Sequence, residues 1–200
     1  MTLPGVAAGP PRATTTRQMW SNLLALGATL LALLGGLLLR ESVRADLVLY
    51  EDPAAGIEVM RPAEWLVDTQ GDYVFRLQDP VVRPFQTTLQ VTVITIGPDA
   101  TGRNVLDTLT LRRSSLFAGY QVLSVTDPVA TPNGPAAEMQ YAFVAANANP
   151  FLASLPVTVR GVDIVYRKGD QAIIASYHAE TEQFEKQYFR FEQFLSSLRF

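Results

Sequence analysis

The feature that most constrains this chain is an uncharged run of 22 residues between Arg17 and Arg40. Leucine, alanine and glycine dominate it over residues 19–39. An α-helix rises about 1.5 Å per residue, so the run would extend for about 33 Å and could cross the roughly 30 Å hydrocarbon core of a bilayer. We therefore predict a transmembrane helix over residues 19–39, followed by a separate domain.

A cleaved signal peptide is the main alternative to a retained anchor. Val43, Arg44 and Ala45 form an acceptable small-x-small cleavage site before Asp46. The apolar segment of a signal peptide usually spans about 7–15 residues, however, and this run is longer. Its length favours a signal anchor that stays in the protein.

The orientation follows from the flanks of the run. Arg12 and Arg17 precede it and Arg40 and Arg44 follow it, so the positive-inside rule is nearly balanced. A short tail over residues 1–18, without apolar periodicity and expected to be disordered, precedes a much larger domain. We expect a single-pass protein of the cell membrane with its C-terminal domain outside the cytoplasm.

Small residues recur along one face of the predicted membrane helix. Ala28, Ala32 and Gly36 follow at intervals of four. Such faces let membrane helices approach one another closely, although alanine and glycine are also simply common in these helices. The spacing makes these three residues the candidate contact with another membrane helix.

The charge balance of the domain argues against nucleic acid as a partner. Residues 46–200 carry 12 basic and 18 acidic side chains. Binding to nucleic acid depends on neutralising phosphates, which needs the opposite balance. The chain also lacks cysteine, which excludes disulfides, thiol nucleophiles and cysteine-based metal sites.

Residues 40–50 read as a juxtamembrane segment, and residues 51–200 as one domain. Alternating apolar residues and β-branched runs predict its strands. A helix is expected over residues 101–118, with Asn104 or Thr101 as its N-cap and Gly119 as its C-cap. A second helix closes the chain. The strands are expected over residues 57–60, 65–67, 73–78, 87–96, 120–125, 136–145, 157–167 and 171–178.

This order of elements predicts an α+β fold, an antiparallel β-sheet flanked by helices. The closing helix is amphipathic, because its apolar residues are spaced by three and four and so share one face. Those residues are Phe184, Tyr188, Phe191, Leu195 and Leu198.

The start of the domain resembles that of the PsbP-like (PsbP/Mog-type) family. Gly56, Pro62 and Trp65 have its G-x5-P-x2-W spacing, and residues 160–163 and 194–200 agree in order, so the resemblance covers residues 50–200. It implies an α/β/α sandwich with a binding or accessory role, as in the extrinsic subunits of the photosynthetic oxygen-evolving complex. The resemblance carries over no metal ligands.

Catalytic chemistry has little support in the sequence. Ser176, His178 and Glu180 would share one face of a strand, and Asp163 is a further possible acid. No glycine-rich elbow surrounds the serine, however, and one histidine without cysteine does not make a usual zinc site. We therefore predict no catalytic, metal or cofactor-binding residues and no cofactor, and we expect the protein not to be an enzyme.

One connection between strands is a candidate contact surface. Residues 147–156 are bounded by prolines and carry Phe151, Leu152 and Leu155. These side chains could contact a partner or a lipid surface, or could cover the edge of the sheet.

Together these features favour a membrane-anchored binding or accessory domain, a non-catalytic subunit or assembly factor of a membrane complex. A domain that binds a small apolar ligand or lipid is the alternative, and a pocket lined by Trp65, Phe75 or Tyr141 would support it. An extrinsic photosynthetic subunit, or a hydrolase built on Ser176 and His178, is a further possibility.

Overall fold

The structure is a computed structural model that describes residues 16–44, 46–146 and 155–200. The chain divides into two compact units, Met1–Ala45 and Asp46–Phe200. Helix α1 (Thr16–Arg44) belongs to the first unit and includes the uncharged run. Within the described part of the chain, no helix combines the length and the hydropathy that a membrane span requires. Most of the predicted tail, residues 1–15, lies outside the described residues.

The second unit contains two sheets and two helices among its described residues. Strands β1 and β2 form a hairpin, and the other seven form one antiparallel sheet in the order β3-β4-β5-β9-β8-β7-β6. The elements are β1 (Leu47–Asp52), β2 (Ile57–Pro62), β3 (Leu66–Asp68), β4 (Phe75–Gln78), β5 (Thr88–Thr95), α2 (Gly102–Leu116), β6 (Ala118–Thr131), β7 (Gly134–Ala145), β8 (Val157–Lys168), β9 (Gln171–Glu180) and α3 (Thr181–Ser197).

Helices α2 and α3 cover opposite faces of the large sheet, and the predicted α+β sandwich is confirmed. Side chains alternate between the two faces of a strand. On β9, Ile173 and Tyr177 pack in the core beneath α3, whereas Ala172 and Ile174 pack in the core beneath α2. The central strands β8 and β9 are therefore buried on both faces.

Aromatic side chains fill the core beneath α3. Phe191 is fully buried and stacks on Tyr177 with ring centroids 5.4 Å apart, within the range of about 4.5–7 Å typical of packed rings. Trp65 lies in the same core, as its place in the opening motif predicts. The backbones of Glu58 and Arg199 exchange two hydrogen bonds, which join the β1–β2 hairpin to the end of the chain.

Three local predictions need correction. Residues 47–50, for which no strand was predicted, belong to β1, which pairs with β2 along its whole length. Strand β6 continues beyond residue 125 and includes Pro128, because an edge strand tolerates a residue that cannot donate to a ladder. Gly119 does not cap α2. The helix ends at Leu116, and Gly119 takes a positive φ of 63° inside β6.

Candidate functional site: a cleft between helix α2 and the sheet

Helix α2 covers only part of its face of the sheet. It packs mainly against β6, β7 and β8. A cleft of about 530 Å³ lies between this helix and strands β4, β5 and β9. Its volume is in the range of small-molecule sites, which is about 300–1,000 Å³.

A row of polar residues crosses the sheet at the floor of the cleft. Arg76 on β4 is opposite Gln90 on β5, which is opposite Ser176 on β9, which is opposite Asp163 on β8. Hydrogen bonds join these four side chains two by two. Arg76 Nε donates to Gln90 Oε1 at 3.0 Å, and Ser176 Oγ donates to Asp163 Oδ1 at 2.7 Å.

Asp163 is fully buried and forms an ion pair with Arg113, a residue of α2. The guanidinium donates to both carboxylate oxygens, from Nη2 to Oδ1 at 3.1 Å and from Nη1 to Oδ2. Burial has the largest single effect and lowers the pKa of Arg113, but the charge and hydrogen bonds of Asp163, together with the nearby Tyr141 and Tyr120, raise this pKa above its ordinary value. Two-point pairing of this kind fixes the orientation of both groups. The ion pair therefore attaches α2 to the centre of the sheet.

Tyr141 connects the ion pair to the only histidine of the chain. Its hydroxyl lies 3.3 Å from Asp163 Oδ1 and 2.6 Å from His178 Nε2, and Arg113 stacks 4.6 Å above its ring. Gly161 makes room for this ring on the neighbouring strand, because a Cβ there would lie within 2.4 Å of a ring carbon. Gly161 and Asp163, which belong to the Arg-Gly-Val-Asp segment at residues 160–163, therefore contribute to the same hydrogen-bond network.

His178 is neutral in this setting. Burial and the nearby positive charge of Arg113 lower its pKa from 6.5 to about 4. Burial also raises the pKa of Tyr141 well above 10, so the phenol keeps its proton. Since the carboxylate can only accept, the phenol donates to Asp163, and its oxygen accepts from the imidazole.

The lowered pKa of His178 predicts how stability depends on pH. Between about pH 6.5 and pH 4 the unfolded chain binds a proton at this histidine that the folded chain does not, so stability falls as the pH falls through this window, by about 1.4 kcal/mol for each unit of pKa difference. Urea unfolding measured from pH 7 to pH 4 should show this loss, and His178→Gln should reduce it. A histidine NMR signal that titrates near pH 6.5 would contradict the assignment.

The serine–histidine pair is not arranged as a nucleophile and its base. Ser176 and His178 line the same cleft from one face of β9, as the strand period predicts. The serine hydroxyl, however, donates to Asp163, and the histidine bonds Tyr141. A nucleophile requires a hydrogen bond to its base. Among the described contacts, Ser176 has none to His178.

Arg76 stands at the polar end of the cleft. Its guanidinium lies 4.2 Å above the ring of Tyr73, and its Nε bonds Gln90. The hydroxyl of Tyr73 donates hydrogen bonds to the side chain of Asp68 and to the backbone carbonyl of Gln70. These two bonds fix the loop before β4. Within the described parts of the chain, Arg76 forms no ion pair.

Apolar side chains also line the cleft and form an aromatic wall. Phe117 and Phe143 stack with ring centroids 4.4 Å apart, and Phe85 meets Phe143 edge-on at 6.4 Å. Leu116 also lines the cleft and remains 65% exposed. The site therefore has an aromatic wall and a cationic end.

The described residues that line the cleft include none of the site residues predicted from the sequence. Ala28, Ala32 and Gly36 are exposed on α1, and their role as a helix contact stays a prediction. Phe151 and Leu152 lie outside the described residues, and Leu155 is 86% exposed. Among the residues that the structure describes, no group of three or more acidic or histidine side chains is placed to hold a metal.

No protein-family model matches the sequence, and no curated protein is significantly similar to it. The solution structure of cyanobacterial PsbP (CyanoP) from Synechocystis sp. PCC 6803 matches with a TM-score of 0.52 and 15% identity, over 78% of this chain and 92% of that one. The crystal structure of the Ran-binding protein Mog1p from Saccharomyces cerevisiae matches with a TM-score of 0.50 and 12% identity, over 77% and 95%. The chain has a PsbP/Mog-like fold.

The fold implied by the resemblance is thereby confirmed, and identities this low show the fold alone. Within the PsbP/Mog-like domain, the sequence marks only part of the cleft. Arg112 and Arg113 interrupt the apolar stripe of α2, and Asp163 interrupts an apolar strand. A charge in the middle of a buried pattern indicates a partner but does not identify it. Arg76 carries no such signal, because arginine is ordinary on a half-buried strand.

Proposed function

We propose that this chain is a membrane-tethered, non-catalytic binding domain outside the cytoplasm, which serves as an accessory subunit or assembly factor of a membrane complex. The observation that carries the binding role is the cleft beside α2. Its buried polar groups bond one another, whereas Arg76 and the aromatic wall remain available to a ligand. The first set of groups stabilises the fold and the second set can contact a ligand, as expected of a binding site.

Support for tethering comes from the sequence. The uncharged run between Arg17 and Arg40 has the length of a membrane span. Two residues separate the end of α1 from the start of β1 in the sequence. The first three residues of β1, Leu47, Val48 and Leu49, are apolar and exposed. Apolar residues beside a span suit the membrane interface. The fold is compatible with binding, since Mog1p is a Ran-binding protein.

The accessory role is tested by purifying the tagged full chain from membranes in a mild detergent and identifying what accompanies it by mass spectrometry. We expect defined membrane-protein partners that are absent when only residues 46–200 are expressed. A chain that purifies alone and as a monomer would count against the role. Esterase screening of wild type and His178→Ala should show equal, background activity, and a loss in the variant would favour the hydrolase.

The cleft also favours a second candidate, a domain that binds a small ligand. The pocket is not where an apolar-ligand site was expected, because Trp65 and Phe75 are buried in the filled core beneath α3. It lies on the other face, Tyr141 is not among the residues that line it, and its lining is both apolar and charged. A purely apolar ligand would leave Arg76 without a partner.

A further inference from the structure

The cleft presents three guanidinium groups, and two of them already have a carboxylate. Arg113 is paired with buried Asp163, and Arg112 is paired at 2.7 Å with Asp72, an exposed residue at the rim. Arg76 is the third. Its Nε bonds Gln90, and its two terminal nitrogens make no hydrogen bond within the described residues. A half-buried cation with two free donor groups suits an anion.

The geometry of the other wall indicates the body of that anion. The half-buried Phe117 and Phe85 and the exposed Leu116 form an apolar surface that solvent still reaches, and the ring of Phe143, which is 6% exposed, stacks on Phe117. Aromatic and aliphatic groups gain free energy when they cover such a surface. A bare inorganic anion would leave it exposed.

We propose that the cleft binds a small organic carboxylate, with its apolar body against the phenylalanine wall and its carboxylate on Arg76. This inference rests on the binding role proposed above. A planar guanidinium can donate two parallel hydrogen bonds to a planar carboxylate, so one free arginine matches one carboxylate. Gln90 and Thr92 hold the arginine in place, through Arg76 Nε to Gln90 Oε1 and Gln90 Nε2 to Thr92 Oγ1 at 3.1 Å.

The ion pairs of Arg112 and Arg113 determine which class of anion the cleft favours. A doubly charged phosphate is held best by more than one cation, and to supply a second one Arg113 would have to leave a buried aspartate or Arg112 would have to leave Asp72 at the rim. The neutral imidazole of His178 adds no positive charge at neutral pH. The site therefore favours a monovalent carboxylate over inorganic phosphate.

The test uses the full chain in phosphatidylcholine nanodiscs, with 2-naphthoate as the probe and 2-naphthamide as its neutral isostere. Calorimetric titrations to about 1 mM probe, with empty nanodiscs as background, give both affinities. We expect 2-naphthoate to bind wild type at least about tenfold more tightly than 2-naphthamide, and inorganic phosphate not to compete, because a charge-assisted two-point contact is worth a tenfold preference or more.

Arg76→Gln should abolish that preference by weakening 2-naphthoate at least about tenfold while 2-naphthamide is unchanged. Arg76→Lys keeps the charge without the planar fork and should be intermediate. Arg103→Gln is the matched control, because it removes an exposed arginine of α2 that does not line the cleft, and it should behave as wild type. Unchanged thermal unfolding of all three variants shows that they are folded.

The outcomes separate the inference from the proposed function. Equal binding of both probes by wild type, or full 2-naphthoate affinity in Arg76→Gln, would overturn the carboxylate assignment and leave the binding role standing. Absence of binding by either probe would overturn the ligand site itself, and the accessory role would then depend on the co-purification experiment alone.

Discussion

Replacing Asp163 by alanine should lower the free energy of unfolding by about 3–5 kcal/mol, because it leaves the guanidinium of Arg113 buried without its counter-ion. The side chain of Asp163 is fully buried, and that of Arg113 is 12% exposed. The substitution also removes the acceptor of Ser176 and Tyr141. Urea unfolding of residues 46–200, followed by the fluorescence of buried Trp65, measures the loss.

The chain supplies a matched control for this experiment. Asp107 pairs with Arg103 on the exposed surface of α2, four residues away. Such pairs are worth about 0.3–0.5 kcal/mol, so Asp107→Ala should change stability little. Replacing both partners of the buried pair, in Arg113→Met with Asp163→Leu, should recover much of the loss. Similar values for Asp163→Ala and Asp107→Ala would contradict the buried network.

Phe191→Ala should cost about 3–5 kcal/mol, because it opens a cavity in the core between α3 and the sheet. The ring is fully buried and lies against Tyr177 and Phe194. This is a large part of the 5–15 kcal/mol that stabilises a domain of ordinary size. The same unfolding measurement applies.

Phe189 provides the comparison, since it is the same residue type on the same helix but is 50% exposed. Phe189→Ala should cost less than about 1 kcal/mol. Equal losses for the two substitutions would mean that α3 does not present the Phe191 face to the sheet, and the two-sided core described above would be wrong.

The fold could be predicted from the sequence because its signals are local. Alternation identifies the half-buried strands, and Thr101 and Asn104 form a reciprocal capping box where the helix was expected to begin. The failures have physical causes. Strand β1 follows the apolar run directly and has no alternation of its own, and Pro128 reads as a stop in a strand that happens to lie at the edge of the sheet.

The cleft could not be predicted in the same way, because its parts are distant in the chain. Arg113 and Asp163 are 50 residues apart, and Tyr141 and His178 are 37 apart. Their meeting depends on the strand order of the sheet and on the face that α2 covers. Sequence spacing indicates that Ser176 and His178 share a face, but it does not indicate that each bonds a different partner.

The central claim is that the cleft beside α2 is the binding site of this domain. Hydrogen–deuterium exchange by mass spectrometry, on the full chain in nanodiscs with and without saturating 2-naphthoate, tests it most directly. The account predicts slower exchange in peptides from α2, β4 and β5, with α3 unchanged. Protection confined to α3 or to the β1–β2 hairpin, or no protection anywhere in the domain, would contradict it.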